Sequence, residues 1–257
     1  VDISFPSMPL FLKFAPELVR GMLTPVFEFS SKPVWKYDFA PHDVGVYPHC
    51  NGQWYGIDKT KIEGGYRTDG KGVLLPVYAF DECSDIYKPD MHMPVEECGN
   101  MIILTALADK YSPDDEYLNK HFYLLEKWAN YLKEAGLIPE KQLCTDDFAG
   151  HLDKNVNLAI KSIVGLKCFA RICERLNKTE ESKEFYHLAK GRAKELLSYR
   201  KNGILPLTFD GNENQFSIKY NLYADKLIGE PLFGDEYIAA EVAVYKQRLL
   251  KYGLPLD

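Results

Sequence analysis

Two short polar clusters, each followed by an apolar segment, are the parts of this sequence best suited to chemistry. In residues 93–108, MPVEECGNMIILTALA, the polar residues come first and an apolar run follows. Residues 144–166, CTDDFAGHLDKNVNLAIKSIVGL, have the same layout. Hydrolysis needs a base that activates water and an acid that protonates the leaving group, and a pair of carboxyl groups often supplies both. The candidate catalytic residues are Glu96, Glu97, Asp146, Asp147 and His151.

Helix capping is the alternative explanation for these acids. The N–H groups and the dipole at a helix N-terminus favour carboxylates, but a cap needs one acid rather than two adjacent ones. Neighbouring side chains on a helix point about 100° apart, so we expect one of Glu96 and Glu97 to face a shared site, and the sequence does not choose between them. Asp146 and Asp147 pose the same question, and the tight turn predicted after them favours Asp147. We expect at least one acid of each cluster to act on a substrate.

Other polar residues are candidates for substrate binding, because they lie in loops punctuated by glycine and proline or at the starts of apolar helices. For each there is a structural alternative, such as a turn cap for Asp43, a packed turn for the 51–55 segment, a helix cap for the asparagines and a solvated surface position for Lys219. His49, His92, His121 and His187 are assigned to structure. The candidate ligands are His42, Asp43, Asn51, Gln53, Trp54, Tyr55, Asn100, Asn155, Asn157, Lys219, Tyr220 and Asn221.

The spacing of metal-binding residue types predicts no metal site and no cofactor. The six cysteines form no CxxC pair, and the acidic clusters lack the spacing of an EF-hand loop. Cys98 and Cys144 each lie within two residues of an acidic pair, so a thiol nucleophile is an alternative chemistry. Neither has a histidine next to it in sequence to activate it, which makes this the weaker hypothesis.

The elements that must position these residues are helices. Residues 16–29 form an amphipathic pattern interrupted by Pro25, whereas residues 30–94 are rich in glycine, proline and aromatics and read as a loop-rich insertion, with one short strand within 72–80. From residue 95 onward, segments that are broadly apolar (95–110, 154–176 and 215–229) alternate with segments that carry a narrower apolar stripe (115–134, 179–200 and 235–251).

This alternation predicts an all-α fold of stacked helical hairpins, in which an inner ring of buried helices is wrapped by an outer ring, an α/α toroid. An α-solenoid alternates similarly, but no fixed sequence period links the hairpins. We expect residues 1–257 to form a single helical toroid domain, or a portion of a larger one, with the 30–94 insertion inside it. Loops at one end of the inner helices would build the site.

Composition narrows the function classes. The 257 residues carry a formal net charge of -6 and offer no basic stripe, so we expect no nucleic-acid partner. No run of 18 apolar residues suggests a membrane span, and we expect no membrane partner. Aromatic residues make up 13% of the chain, which weakly favours a sugar or another small polar ligand stacked on rings.

Several strings together resemble the glutaminase A family, whose central domain is a six-hairpin glycosidase-like toroid. They are APHDVGVYP, NGQWYG, MPVEECGNMIIL, QLCTDDFAGHLDKNVNLAIKSIVGL, IKYNLYADKLIG and YGLPLD. The resemblance runs from about Phe5 to the last residue. The family domain extends on both sides of this chain, so about half of a complete toroid would be missing, and other parts of the same polypeptide are the expected partner that completes it.

The resemblance implies a hydrolase that converts the side-chain amide of L-glutamine to glutamate and ammonia, and a secreted or periplasmic location. The fold name implies relatives that cut glycosidic bonds with two carboxyl groups. A small polar substrate, glutamine or a sugar, is therefore expected. A glycoside hydrolase using the same acids is one alternative function, and an inactive helical binding scaffold is the other.

Overall fold

The computed structural model consists of helices joined by loops. Within the residues described, the regular elements are α-helices and one 3-10 helix, Pro89–Met91, with isolated β-bridges such as the one between Ile57 and Tyr87. The described residues are 1–45, 50, 52–58, 60, 86–145, 150–211 and 215–256. The helices are α1 (Ser4–Phe14), α2 (Pro16–Ser30), α3 (Pro94–Tyr111), α4 (Asp115–Ala135), α5 (Val156–Arg175), α6 (Thr179–Leu197), α7 (Leu222–Ile228) and α8 (Asp235–Gln247).

The all-α prediction is confirmed, and the two kinds of helix differ in burial as the sequence predicts. Every residue of 95–109 in α3 and of 156–170 in α5 is buried, and most of these residues are apolar. In α4 and α6 only a stripe is buried, which includes Trp128 and Leu132 in α4 and Phe185 and Ala189 in α6. Helices α3 and α5 pack against each other at the centre, and α4 and α6 cover them.

Two glycines bring the axes of α3 and α5 close together. A Cβ atom added at Gly165 would lie 3.5 Å from the Cα of Gly99 and 2.8 Å from the Leu132 side chain. A Cβ atom added at Gly99 would lie 2.4 Å from Cγ of Lys161 on α5. Because Gly99 has no side chain, the stem of Lys161 can cross α3 at this position.

We expect Gly99→Ala to lower the free energy of unfolding by about 1–3 kcal/mol, because the new methyl overlaps the buried stem of Lys161. Urea unfolding of the purified chain measures this change. The matched control is Gly191→Ala on α6, where a Cβ atom meets nothing within 4 Å and alanine is the better helix former. A Gly99→Ala variant as stable as the control would show that the two helices separate without cost.

Helix α1 was not predicted, because Pro6 and Pro9 break the helical pattern. Pro9 has no N–H to bond the carbonyl of Phe5 one turn earlier. The hydroxyl of Tyr223 donates a 3.0 Å hydrogen bond to that carbonyl instead, and the rings of Phe5 and Tyr223 are in contact. A tertiary contact thus compensates for the proline, which no local sequence rule reveals.

Other boundaries differ from the prediction. Helix α2 continues through Pro25 to Ser30 rather than being interrupted there. The third inner helix is shorter than residues 215–229, since α7 begins only at Leu222 and the Ile218 N–H donates to the carbonyl of Leu256. The strand predicted within 72–80 lies outside the described residues. No helix in the described ranges is both long and apolar enough to span a bilayer.

Candidate active site

Glu96 lies in the first turn of α3 and has a fully buried side chain. Its Oε1 accepts hydrogen bonds from the ammonium of Lys161 on α5 and, at 2.8 Å, from the hydroxyl of Thr145. Its Oε2 is buried and has no hydrogen-bond partner among the described residues. One oxygen of this carboxylate is therefore anchored and the other is free.

Lys161 is the cation at the centre of the site. Its side chain is fully buried, and besides Glu96 its ammonium donates a 2.6 Å hydrogen bond to Oδ1 of Asn100. The ammonium also lies 3.8 Å from the ring centroid of Phe5 and 5.3 Å from that of Tyr220. A buried ammonium needs a carboxylate and other polar partners to offset its lost hydration, and this arrangement supplies both.

Glu97 is also fully buried but faces a different set of groups. Its Oε2 accepts a 3.1 Å hydrogen bond from the amide of Asn100, and its Oε1 accepts from the backbone nitrogens of Val1 and Asp2, each at 3.2 Å. Burial raises the pKa of Glu97. Because Asn100 bonds to both Lys161 and Glu97, it joins the two glutamates into one network, whereas the helix geometry had predicted that only one would face a shared site.

The loop after α2 brings His42 and Asp43 to the same network. Nδ1 of His42 lies 3.0 Å from Oδ2 of Asp43, and Nε2 lies 3.6 Å from Oδ1 of Asp2. Burial acts to lower the pKa of His42, but its contacts with Asp2 and Asp43 raise that pKa to about 9. Burial acts to raise the pKa of both aspartates, yet the interaction with His42 helps to hold each below its usual value.

Asp43 is held by backbone N–H groups as well as by His42. Its oxygens accept hydrogen bonds from the backbone of Gly45, Trp54 and Tyr55 at 2.8–3.0 Å. The ring of Tyr55 stacks on His42 with centroids 4.3 Å apart. These contacts fix the orientation of the imidazole.

Gln53 is completely buried and serves the loop. Its side chain accepts from the backbone N–H of His42 at 2.7 Å and donates to the carbonyl of Tyr55 at 3.0 Å. The predicted ligands Gln53, Trp54 and Tyr55 therefore all lie at the site, where Gln53 and the backbones of Trp54 and Tyr55 hold His42 and Asp43.

The predicted asparagine ligands form a second, adjoining cluster. The side chain of Asn155 caps α5 by accepting from the N–H groups of Asn157 and Leu158. Asn157 and Asn221 are fully buried and bonded to each other, with a 3.1 Å bond between their side chains, so they join the start of α5 to the segment before α7. Lys219 is buried rather than solvated, and its ammonium donates to the carbonyl and the hydroxyl of Ser217 at 3.0 Å.

The remaining predicted residues divide into two groups. Asn51, Asp146 and Asp147 lie outside the described residues, so their placement stays a prediction. His151 is exposed. Thr145, which precedes the two aspartates in sequence, contacts Glu96 through its hydroxyl.

Comparison with known proteins identifies the family of this chain. The pattern of the glutaminase A six helical-hairpin domain matches residues 1–257. The chain belongs to this family. Glutaminase A of Aspergillus oryzae is 30% identical over 263 residues, which cover all of this chain and 33% of that protein. A probable glutaminase of Arthroderma benhamiae is 26% identical over 297 residues, which cover 92% of this chain and 31% of that protein.

The chain thus spans about a third of the length of these glutaminase relatives. Both the family match and the 30% identical relative extend over the whole chain. The similarity therefore includes every segment that contributes to the network, from Asp2 to Tyr220.

Asp2, Thr145 and Lys161 belong to this site and were not predicted from the sequence. The signal for Lys161 was present, because a lysine inside the apolar string LAIKSIVGL of a fully buried helix needs a buried carboxylate. Asp2 gives no such signal, since its contact with His42 depends entirely on the fold. For Cys98 the thiol hypothesis finds no support, because this residue is fully buried and burial raises the pKa of its thiol, which disfavours the reactive thiolate.

Among the described residues, the histidines assigned to structure lie outside the polar network of Glu96, Lys161, Asn100 and Glu97. His92 is buried among aromatic rings, and His187 on α6 is exposed. His121 on α4 stacks on Phe27 with centroids 4.1 Å apart, and its Nε2 is buried without a hydrogen-bond partner among the described residues. His49 lies outside the described residues.

We expect His121 to make the fold acid-sensitive. Burial, with a smaller contribution from Lys120, lowers its pKa to about 4 from the ordinary value of 6.5. Between these two values the unfolded chain binds the proton and the folded chain does not, so stability is complete above about pH 6.5 and falls as the pH drops towards 4. The loss between about pH 7 and about pH 4.5 should be about 2 kcal/mol.

Urea unfolding at those two pH values, for wild type and His121→Phe, measures this contribution. Phenylalanine keeps a ring against Phe27 and Tyr117 but cannot titrate. The variant should therefore lose less stability on acidification than the wild type. Equal losses in the two proteins would contradict the assignment.

Proposed function

We propose that the chain forms part of a hydrolase that releases ammonia from the side-chain amide of L-glutamine. Membership of the glutaminase A six helical-hairpin domain family and the names of both relatives support this substrate. The observation that carries the proposal is the polar network at the N-terminal end of α3, which joins Glu96, Lys161, Asn100, Glu97 and His42 in an otherwise apolar core.

The contacts of the two glutamates favour Glu96 as the general base. Both oxygens of Glu97 accept hydrogen bonds from the protein, whereas Oε2 of Glu96 accepts none from the described residues. Lys161 balances the negative charge of Glu96 and, together with Thr145, fixes its other oxygen. An oriented carboxylate oxygen that accepts no hydrogen bond from the described residues is suited to accept a proton from water.

In the proposed reaction, water adds to the amide carbon of glutamine as Glu96 takes its proton. The C–N bond then breaks, and the nitrogen leaves as ammonia after receiving a proton from a general acid. Asp146 and Asp147 are the candidates for that acid, because they directly follow Thr145 in the sequence. The products are glutamate and ammonia.

The test compares ammonia release from L-glutamine with cleavage of aryl glycosides, using the full-length protein. Glu96→Gln should reduce ammonia release at least about a hundredfold, the range for loss of a general base. Asp147→Asn tests the predicted acid, and Glu195→Gln, an exposed glutamate on α6, is the matched control that should keep the wild-type rate. Wild-type rates in Glu96→Gln would refute the base assignment, and aryl-glycoside cleavage without ammonia release would favour a glycosidase.

The burial of the acids favours a second candidate function, an inactive binding scaffold. Glu96 and Glu97 are each 0% exposed, and Glu96 is paired with a buried lysine. A scaffold would use this pair only to hold α3 against α5. Absence of turnover of either substrate class by a correctly folded full-length protein would favour this alternative.

A further inference from the structure

Three side chains from separate segments place potential metal ligands close together at one edge of the network. They are Asp2, just before α1, His42 in the loop after α2, and Glu97 in the first turn of α3. One donor atom from each lies within 4.8 Å of the donor atoms of the other two. We propose that Asp2, His42 and Glu97 bind a divalent transition-metal ion, a function separate from the glutaminase reaction proposed above.

The separation of the donors suits such an ion. Nε2 of His42 and Oδ1 of Asp2 are 3.6 Å apart. Two ligands bound at about 2.0–2.2 Å in a tetrahedral or octahedral site lie about 3–3.5 Å apart when they are adjacent. The His42–Asp2 pair therefore needs to approach by only a few tenths of an ångström, and a pair at the 4.8 Å limit by more than an ångström. Asp2 and His42 are partly exposed, which leaves a route for an ion and for water to complete its coordination.

Two of the proposed ligands are held by hydrogen-bond partners of the kind that orient ligands in metal sites. The other ring nitrogen of His42 faces Asp43, so Nε2 is directed at the cluster, and carboxylates commonly orient metal-binding histidines in this way. The other oxygen of Glu97 is held by the amide of Asn100. Oε1 of Glu97 accepts from two backbone nitrogens, whereas Oε2 accepts one hydrogen bond. A metal ion would therefore replace one of the two hydrogen bonds to Oε1 or use the remaining lone pair of Oε2.

The ligand set indicates which ions fit. One imidazole nitrogen and two carboxylate oxygens suit Zn²⁺, Mn²⁺ or Fe²⁺, whereas Ca²⁺ prefers six to eight oxygen ligands. The sequence analysis found no metal motif because the ligands are separated by 40 and 55 residues, and only the fold brings them together.

Isothermal titration of the metal-free chain with ZnCl₂, and separately with CaCl₂, tests the proposal without any substrate. We expect one saturable Zn²⁺ site and no comparable binding of Ca²⁺. Asp2→Asn and His42→Phe should each weaken Zn²⁺ binding at least about tenfold, and the phenylalanine preserves the stacking on Tyr55. Asp43→Asn, which leaves the three ligands in place but removes the carboxylate that orients His42, should weaken binding by about 10- to 100-fold.

The matched control is His187→Gln, which removes an exposed histidine on α6 and should leave the Zn²⁺ affinity unchanged. Circular dichroism establishes that each variant is folded, and the visible absorption of bound Co²⁺ reports the coordination directly. No saturable Zn²⁺ binding by the wild type, equal affinity in the Asp2 and His42 variants, or a preference for Ca²⁺ would overturn the proposal. Because no substrate is present, these outcomes are independent of the glutaminase assay.

Discussion

Replacing Lys161 by methionine is expected to lower the free energy of unfolding by about 3–5 kcal/mol. Methionine has a similar length, so the change removes the ammonium while largely preserving the packing of α5 against α3. Glu96 then remains as a buried carboxylate whose Oε1 is bonded only to Thr145 and whose Oε2 has no partner among the described residues. Most of the loss therefore comes from the uncompensated charge of Glu96.

A double-mutant cycle separates this effect from simple loss of contacts. Urea unfolding is measured for wild type, Lys161→Met, Glu96→Gln and the double variant, and the double variant should be more stable than the sum of the single losses predicts. The control, Lys190→Met at an exposed position on α6, should change stability by no more than about 0.5 kcal/mol. A loss below about 1 kcal/mol for Lys161→Met, or additive effects, would show that the pair contributes little.

The sequence was sufficient to predict the central helices but not the first one. Helices α3 and α5 are broadly apolar, and this property is enough to predict their burial. The two prolines of α1 carry the opposite signal, and the helix persists because the Tyr223 hydroxyl, more than 200 residues away, bonds the carbonyl that Pro9 leaves free. Local patterns contain no information about such a partner.

The candidate site was predicted only in part, because local patterns do not reveal distant partners. The residue types near the α3 N-terminus and in the His42 loop pointed to a shared polar site, and the structure joins Glu97 and His42 through Asp2 and places Asn100 between Lys161 and Glu97. The choice between Glu96 and Glu97 depends on which oxygen has a partner, which spacing along the chain cannot show. The hydrogen-bond pattern now favours a reactive role for Glu96 and a binding role for Glu97.

A second buried ion pair, between Lys167 in the middle of α5 and Asp225 on α7, gives a further prediction. The ammonium of Lys167 donates to Oδ1 of Asp225 at 2.6 Å, and both side chains are only 1% exposed. Oδ2 of Asp225 accepts from the backbone N–H groups of Leu232 and Phe233 at 2.9 and 3.1 Å. Asp225 thus fastens α7 to α5 and also fixes the loop that follows α7.

Asp225→Ala is therefore expected to lower the free energy of unfolding by about 3–5 kcal/mol, because it leaves a buried ammonium without its carboxylate and two backbone N–H groups without their acceptor. Asp225→Asn, which keeps an acceptor oxygen for the loop but loses the charge, should cost less. Urea unfolding gives both values, with Glu184→Ala as the control, since its pair with Lys133 is exposed and should contribute no more than about 1 kcal/mol. If Asp225→Ala were no more destabilising than this control, the ion pair would contribute little to stability, and α7 would be held by apolar packing alone.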